Sequence, residues 1–262
     1  MKYKRLLIFV TVLFFVTVLI FSSAMLFSIN EIVVKGDVLP SSNENVVQSA
    51  ETVLTSYKGK NFAFVNGKNV QKEVEKASPY VKVVSVKKIF PNKLEVQVKE
   101  RKEALSLAYN SNFYVLDEDL TVLKIDAQNK NNIDGLKNVE LNLNLADYGQ
   151  AELAVGSVLN IYDQTAFNYL KQSIPTIIEN RQNLESVTLE VKRDGIVYNR
   201  LTLKMREGVT FKIQKANEET ILKLNKAFEF YKGLTMPNGS KAEGEYFVYK
   251  LEQSGQIVVS KN

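Results

Sequence analysis

The chain has 262 residues, of which 45% are hydrophobic and 24% charged, the balance of a folded protein long enough for two units. It contains no cysteine, histidine or tryptophan, which removes disulfides, thiolate nucleophiles, imidazole bases and the commonest transition-metal ligands. The net charge is +5, but Lys2, Lys4 and Arg5 hold three of the 34 basic residues, leaving 31 against 29 acidic ones. So small and evenly spread a remainder does not predict a nucleic-acid surface.

From the N-terminus, Leu6 to Phe27 is an uncharged run of 22 residues, mostly Leu, Ile, Val and Phe. As a helix it would be roughly 33 Å long, enough for a hydrocarbon core of about 30 Å. Such a helix satisfies its own backbone, so a transmembrane helix over 6–27 is expected. Three cations precede it, while Asn30 and Glu31 follow. The positive-inside rule therefore leaves residues 1–5 as a cytoplasmic tail, with everything after about residue 28 extracytoplasmic. Ser22-Ser23-Ala24 resembles a signal-peptide cleavage site, but the apolar run exceeds a typical h-region of about 7–15 residues. Thr11, Thr17, Ser22 and Ser23 could support helix pairing but read as passengers in the span.

Residues 31–101 read as a β-α-α-β-β unit. Glu31–Lys35 is a strand closed by Gly36. Ser41-x-x-Glu44 has the form of a capping box, and Val46, Val47, Ala50, Val53, Leu54 and Tyr57 then recur at helical spacing up to Gly59. A second helix carries Val70, Val74 and Ala77 and ends at Pro79. Val81–Phe90 is β-branched, with an alternation that slips between Val83 and Val84, the mark of a bulge. Across the Pro91-Asn92 turn, Leu94, Val96 and Val98 alternate with polar residues.

From about residue 104 the pattern is mostly strand. Phe113–Leu116 runs through the acidic turn Asp117-Glu118-Asp119 into Val122-Leu123, and residues 126–138 read as a loop. A helix beginning near Asp163 carries Phe167, Leu170 and Ile174, and Pro175 is expected to bend it. Strands follow at Val187–Val191, Ile196–Met205 and Val209–Ile213, with turns at Arg193-Asp194-Gly195 and Glu207-Gly208. Asn217 is expected to cap a helix with Ile221, Leu224, Phe228 and Tyr231 on one face. A last hairpin pairs Tyr246–Leu251 with Gln256–Ser260. The fold class is α+β.

Three patterns carry a family resemblance. The first is Val34-x-Gly36 directly after one N-terminal apolar helix, and the second is Gly59-Lys60-Asn61-Phe62-x-Phe64-Val65-Asn66 between the two helices. The third, and the most specific, is Ser78-Pro79-Tyr80-Val81 leading through Phe90-Pro91-Asn92-x-Leu94 to Val98-x-Glu100-Arg101. With Phe113–Asp117, these make the chain resemble the FtsQ/DivIB family of bacterial cell-division proteins. Leu120 stands where the family's acidic turn often has Gly. The resemblance implies a POTRA domain at 30–102 and a β-rich domain with two or more helices at 104–262. It also implies a non-catalytic bitopic scaffold at the division septum, binding small coiled-coil partners of the FtsB (DivIC) and FtsL type and helping to regulate septal peptidoglycan synthesis.

The final hairpin is the strongest candidate for partner contact, because a terminal strand often lies at a sheet edge that another chain can extend. The resemblance carries docking onto Phe247, Val248 and Ser260; Tyr246 and Tyr249 add aromatic surface beside them, and Val258 lies in the same hairpin, so all six are candidate contacts. These aromatics either meet a partner or cover the core of their own domain. Val81, Val83, Lys87 and Lys88 could recruit partners but read as ordinary sheet packing. Another POTRA-bearing envelope subunit is an alternative reading, and a cell-wall hydrolase using Asp117 and Asp119 is a more remote one, because consecutive turn carboxylates rarely face each other across a cleft. Asp117, Asp119 and Asp126 lack the spacing of a calcium loop. No catalytic residue, metal, cofactor or small-molecule substrate is assigned; the remaining expected partner is the lipid bilayer.

Overall fold

The computed structural model describes residues 2–37, 45–109, 111–128, 138–144, 151–193, 197–216, 219–235, 239 and 243–261. Of residues 2, 5, 6, 19–26, 37, 192–193 and 197–198 it describes the backbone alone. The chain divides into two units, Met1–Arg101 and Lys102–Asn262, each built around its own apolar cluster.

The first unit opens with helix α1, Lys2–Leu26. Among the described residues no helix is long and apolar enough to cross a membrane; the expected span over 6–27 falls partly on side chains outside them. Thr11 returns its hydroxyl to the Leu7 carbonyl at 2.8 Å, and Thr17 does the same to Leu13.

After α1, the chain forms β1 (Glu31–Asp37), α2 (Val46–Leu54) with a 3-10 turn at Thr55–Tyr57, α3 (Gly67–Ala77), β2 (Val81–Ile89) and β3 (Lys93–Glu100). The sheet order is β1-β3-β2, with β1 parallel to β3 and β2 antiparallel to it. Leu94, Val96 and Val98 on β3 are buried beneath Val46, Ala50 and Leu54 of α2 and Val70 and Val74 of α3. The slip in β2 is a register shift between Val83 and Ser85, which lifts Val84 out of the ladder. Val81 and Val83 pack inward, while Lys87 and Lys88 are exposed.

Helix α2 starts differently from expectation. Its N-cap is Asn45, whose side chain accepts the Gln48 N–H at 3.0 Å; the Ser41-x-x-Glu44 box lies outside the described residues. Gly59 does adopt positive φ, at 83°. Gly36 has a packing role instead. A Cβ there would meet Val47 Cγ2 at 2.7 Å and Val98 Cγ2 at 3.0 Å, so the Val34-x-Gly36 pattern marks where helix and strand approach too closely for a side chain.

The second unit holds a nine-stranded sheet. Its strands are β4 (Leu105–Tyr109), β5 (Asn112–Leu116), β6 (Val122–Asp126), β7 (Val139–Asn144), β10 (Leu184–Arg193), β11 (Val197–Met205), β12 (Val209–Ile213), β13 (Gly244–Lys250) and β14 (Ile257–Lys261). Two-residue strands β8 (Ala151–Glu152) and β9 (Asn160–Ile161) pair separately. The large sheet is ordered β14-β13-β12-β11-β10-β7-β4-β5-β6. Parallel pairs β7·β10 and β12·β13 each need a crossover, supplied by α4 (Gln164–Glu179) and α5 (Thr220–Gly233). The two crossovers advance the same way along the sheet between strands of the same direction. The right-handed rule for such connections therefore puts both helices on one face, where they contact each other. Leu170, Ile174 and Ile177 from α4 and Leu224, Ala227, Phe228 and Tyr231 from α5 bury Val187, Leu189, Leu201, Leu203 and Phe211 beneath them.

Asp163 caps α4 by accepting the Ala166 N–H at 3.0 Å, and Pro175 sits inside that helix without ending it. Asn217, the expected cap of α5, lies outside the described residues; the N-cap position is Glu219, at φ 52° and with no side-chain cap. The buried face of α5 also differs from expectation. Ile221 is 48% exposed, and Lys223, 1% exposed, takes the inward position. Its ammonium donates to the Gln214 and Lys215 carbonyls at 3.0 and 2.8 Å, so the charge is solvated by the β12–α5 loop while the stem packs with the core.

Candidate functional site

Hairpin β13–β14 closes through residues 251–256, with Gly255 at φ 69°. Its register assigns each residue a face. Tyr246 with Lys261, Val248 with Val259, and Lys250 with Ile257 lie on one side; Phe247 with Ser260 and Tyr249 with Val258 lie on the other.

The six residues expected to meet a partner are thereby split. Tyr246 (4% exposed) and Val248 (0%) belong to the core, the Tyr246 ring standing 5.6 Å from Phe211 and 5.3 Å from Phe230. They fix the hairpin to the sheet and offer no free surface. Phe247, Tyr249, Val258 and Ser260 share the face that points away from the helices, each half-buried. The sequence hid this division because aromatics occupy both parities of the strand, and alternation reveals a face only when the two parities differ in polarity.

The surroundings of these four residues change along the sheet. From β10 to β12 the same outer face is polar, carrying Thr188 opposite Thr202, Glu190 ion-paired with Arg200, and Lys204 ion-paired with Glu185 at 3.0 Å. At β13 it becomes aromatic. Lys212 marks the border, holding Glu245 at 2.7 Å with its ammonium 5.8 Å from the Phe247 ring centre.

β14 is the end strand of this sheet among the described residues. The Leu251 N–H donates to the Gln256 carbonyl at 2.8 Å. By the alternation of an antiparallel ladder, Tyr249–Val258 and Phe247–Ser260 are then the hydrogen-bonded pairs, and the N–H and C=O of Ile257 and Val259 point along the open edge. The sequence suggests an edge strand, but which backbones face outward follows only from the register. Lys223 was missed; the spacing Thr220, Lys223, Leu224, Ala227, Phe228, Tyr231 is the signal that would have placed it inward.

The acidic turn is structural. Asp117 is buried, and its Oδ1 accepts the backbone N–H of Asp119 at 3.0 Å and of Thr121 at 2.7 Å. Leu120 takes φ 64° with its side chain in the core, which explains why a glycine suits this position: it is left-handed. Among the described residues no group of three acidic, histidine or cysteine side chains is placed to hold a metal ion.

Residues 27–101 match the POTRA domain, FtsQ-type. The chain is 26% identical over 212 residues to a protein named cell division protein DivIB from Clostridium botulinum strain Hall, a match spanning 78% of this chain and 72% of that one. It is 24% identical over 206 residues to the DivIB of C. botulinum strain Loch Maree, with the same two coverages. To the DivIB of Clostridium tetani it is 26% identical over 169 residues, covering 64% of this chain and 58% of the relative.

Proposed function

We propose that the chain is an FtsQ/DivIB-family cell-division protein, as its FtsQ-type POTRA match and its DivIB relatives support, and that it works as a non-catalytic bitopic scaffold, assembling small coiled-coil division proteins of the FtsB (DivIC) and FtsL type. In this reading residues 1–5 are cytoplasmic and the uncharged run 6–27 anchors the chain in the cell membrane. A POTRA domain at 30–102 and a β domain at 104–262 stand outside, gathered at the septum, where partner assembly regulates peptidoglycan synthesis. The bilayer and the division proteins are its partners.

The observation that supports the docking role is the convergence of Phe247, Tyr249, Val258 and Ser260 on one face of an edge hairpin, beside a polar sheet. A partner segment extending the sheet at β14 would satisfy the edge backbone and lay its side chains against those aromatics. Tethering in two dimensions raises the effective concentration of both members, so modest contact area suffices.

The test is co-purification of the full chain from mildly solubilised membranes, followed by identification of what accompanies it. Coiled-coil bitopic proteins are expected with the wild type and are expected to be lost with Val258→Pro, which removes a ladder N–H inside the hairpin. Retention of the same partners by Val258→Pro, with the first unit still folded, would place docking elsewhere. A fluorescent fusion is expected at midcell; uniform envelope labelling with normal division would overturn the assignment.

A further inference from the structure

The end of α1 is stitched to two loops of the first unit. The Phe62 N–H donates to the Phe27 carbonyl at 2.6 Å, Ile29 N–H to Lys60 O at 3.0 Å, Gly59 N–H to Ile29 O at 2.8 Å and Asn30 N–H to Asn92 O at 3.0 Å. Ser28 bridges Asn61, and the Phe27 ring lies 5.6 Å from Phe90. Lys88 ties the loops to each other, donating to the Phe62 and Val65 carbonyls at 2.9 and 3.0 Å. The apolar tips of these loops are not packed: Phe64 is 88% exposed and Phe90 71%.

We infer that this loop pair, tipped by Phe64 and Phe90, rests in the headgroup layer of the bilayer and seats the first unit on the membrane surface. The inference rests on α1 being the membrane anchor. Ile29 lies three positions beyond Leu26, the end of α1, a reach of about 10 Å. The headgroup region adds about 5–7 Å on each side of the hydrocarbon, so loops bonded to residues 27–30 lie in it or directly against it. Phenylalanine side chains belong at that depth, and lysines beside them extend to the phosphates. Charge agrees with the placement: residues 58–72 and 81–94 contain no Asp or Glu and four lysines each, complementary to anionic lipid. On a free protein surface Phe64 and Phe90 would both stand in water, each in a loop bonded to the residues that follow α1.

The absence of tryptophan makes a single inserted one a clean reporter. Phe64→Trp, Phe90→Trp, Phe15→Trp in α1 and Thr52→Trp on α2 are each made in the full chain and reconstituted in phosphatidylcholine–phosphatidylglycerol vesicles. Lipids carry bromine either near the glycerol or deep in the acyl chain. Phe64→Trp and Phe90→Trp are expected to show blue-shifted emission and a severalfold loss of intensity with shallow bromine, and Thr52→Trp neither. Phe15→Trp quenched by deep bromine, with the two loop reporters in water, would overturn the seating while leaving the anchor intact. An unquenched Phe15→Trp would overturn the anchor and the seating with it. Loop quenching that appears only when a partner protein is co-reconstituted also overturns it, in favour of a protein contact.

Discussion

The two units solve the same problem, burying one face of a sheet under two helices, at different sequence range. In Met1–Arg101 the sheet has three strands, and its antiparallel pair β2–β3 is joined by a short turn. In Lys102–Asn262 three parallel pairs join β4 to β7, β7 to β10 and β12 to β13 across intervening elements. The first unit has one such long-range pairing, β1 with β3, beside its local β2–β3 hairpin, whereas the second has three. Each long-range pairing costs closure entropy before it returns anything, so the second unit should be the slower to fold and the easier to cripple from a single core position.

The sharpest way to break that comparison is Phe211→Ala. Phe211 is fully buried and its ring meets those of Phe230 and Tyr246. Its removal is expected to cost about 3–5 kcal/mol, collapsing amide protection in β10–β13 while residues 81–100 keep theirs. Equal loss of protection in both units would show that the two cores are not separate. Lys223→Met comes next, at about 1.5–3 kcal/mol, because two loop carbonyls lose a charged donor. Thermal melting should show it, and no change would mean water replaces the ammonium. In the first unit Gly36→Ala forces a methyl against Val47 and Val98 and should cost about 1–3 kcal/mol; an unchanged melting point would mean that β1 moves aside freely.

The smallest effect is the most specific. Burial, and then the 2.6 Å hydrogen bond to Glu73, push the Tyr57 phenol from 10.0 up to about 12. The folded state holds this proton more tightly than the unfolded one. Its contribution is therefore fully present below pH 10.0 and is lost as pH rises towards about 12. Tyr57→Phe should lower stability by about 0.5–1.5 kcal/mol at neutral pH and flatten the fall in stability above pH 10. Denaturant midpoints followed across that range test it, and an unchanged slope would remove Tyr57 as the cause.

Legibility follows the same division. In the first unit period-2 alternation marks β3, the doubled Val83-Val84 marks a bulge, and Gly59 marks a left-handed turn; all three appear in the structure. Caps were harder, because Asn45 and the Ser41 box compete for one helix start and only geometry chooses. In the second unit α4, β12 and the last hairpin were visible, but the insertion of β7 between β4 and β10 was not. Nothing in a strand's own residues names a parallel neighbour that precedes it by a helix. The candidate site was half legible. The hairpin, its turn and its place at the edge could be read, yet the inward turn of Tyr246 and Val248 depends on register. Ile221 and Lys223 exchanged expected roles for a related reason: a lysine whose ammonium finds two carbonyls is a long aliphatic filler, and hydropathy does not price that.

The parallel pairing of β12 with β13 has one more consequence. The hairpin's inner neighbour, β12, is itself held by β11, and the chain reaches β13 from it only across α5. Under the docking role proposed above, anything that stalls the sheet, whether a nick, a missing segment or an unfinished chain, would therefore withhold the β14 edge. Competence to recruit would then certify completed folding, and defective copies would be left out of an assembly without any separate inspector.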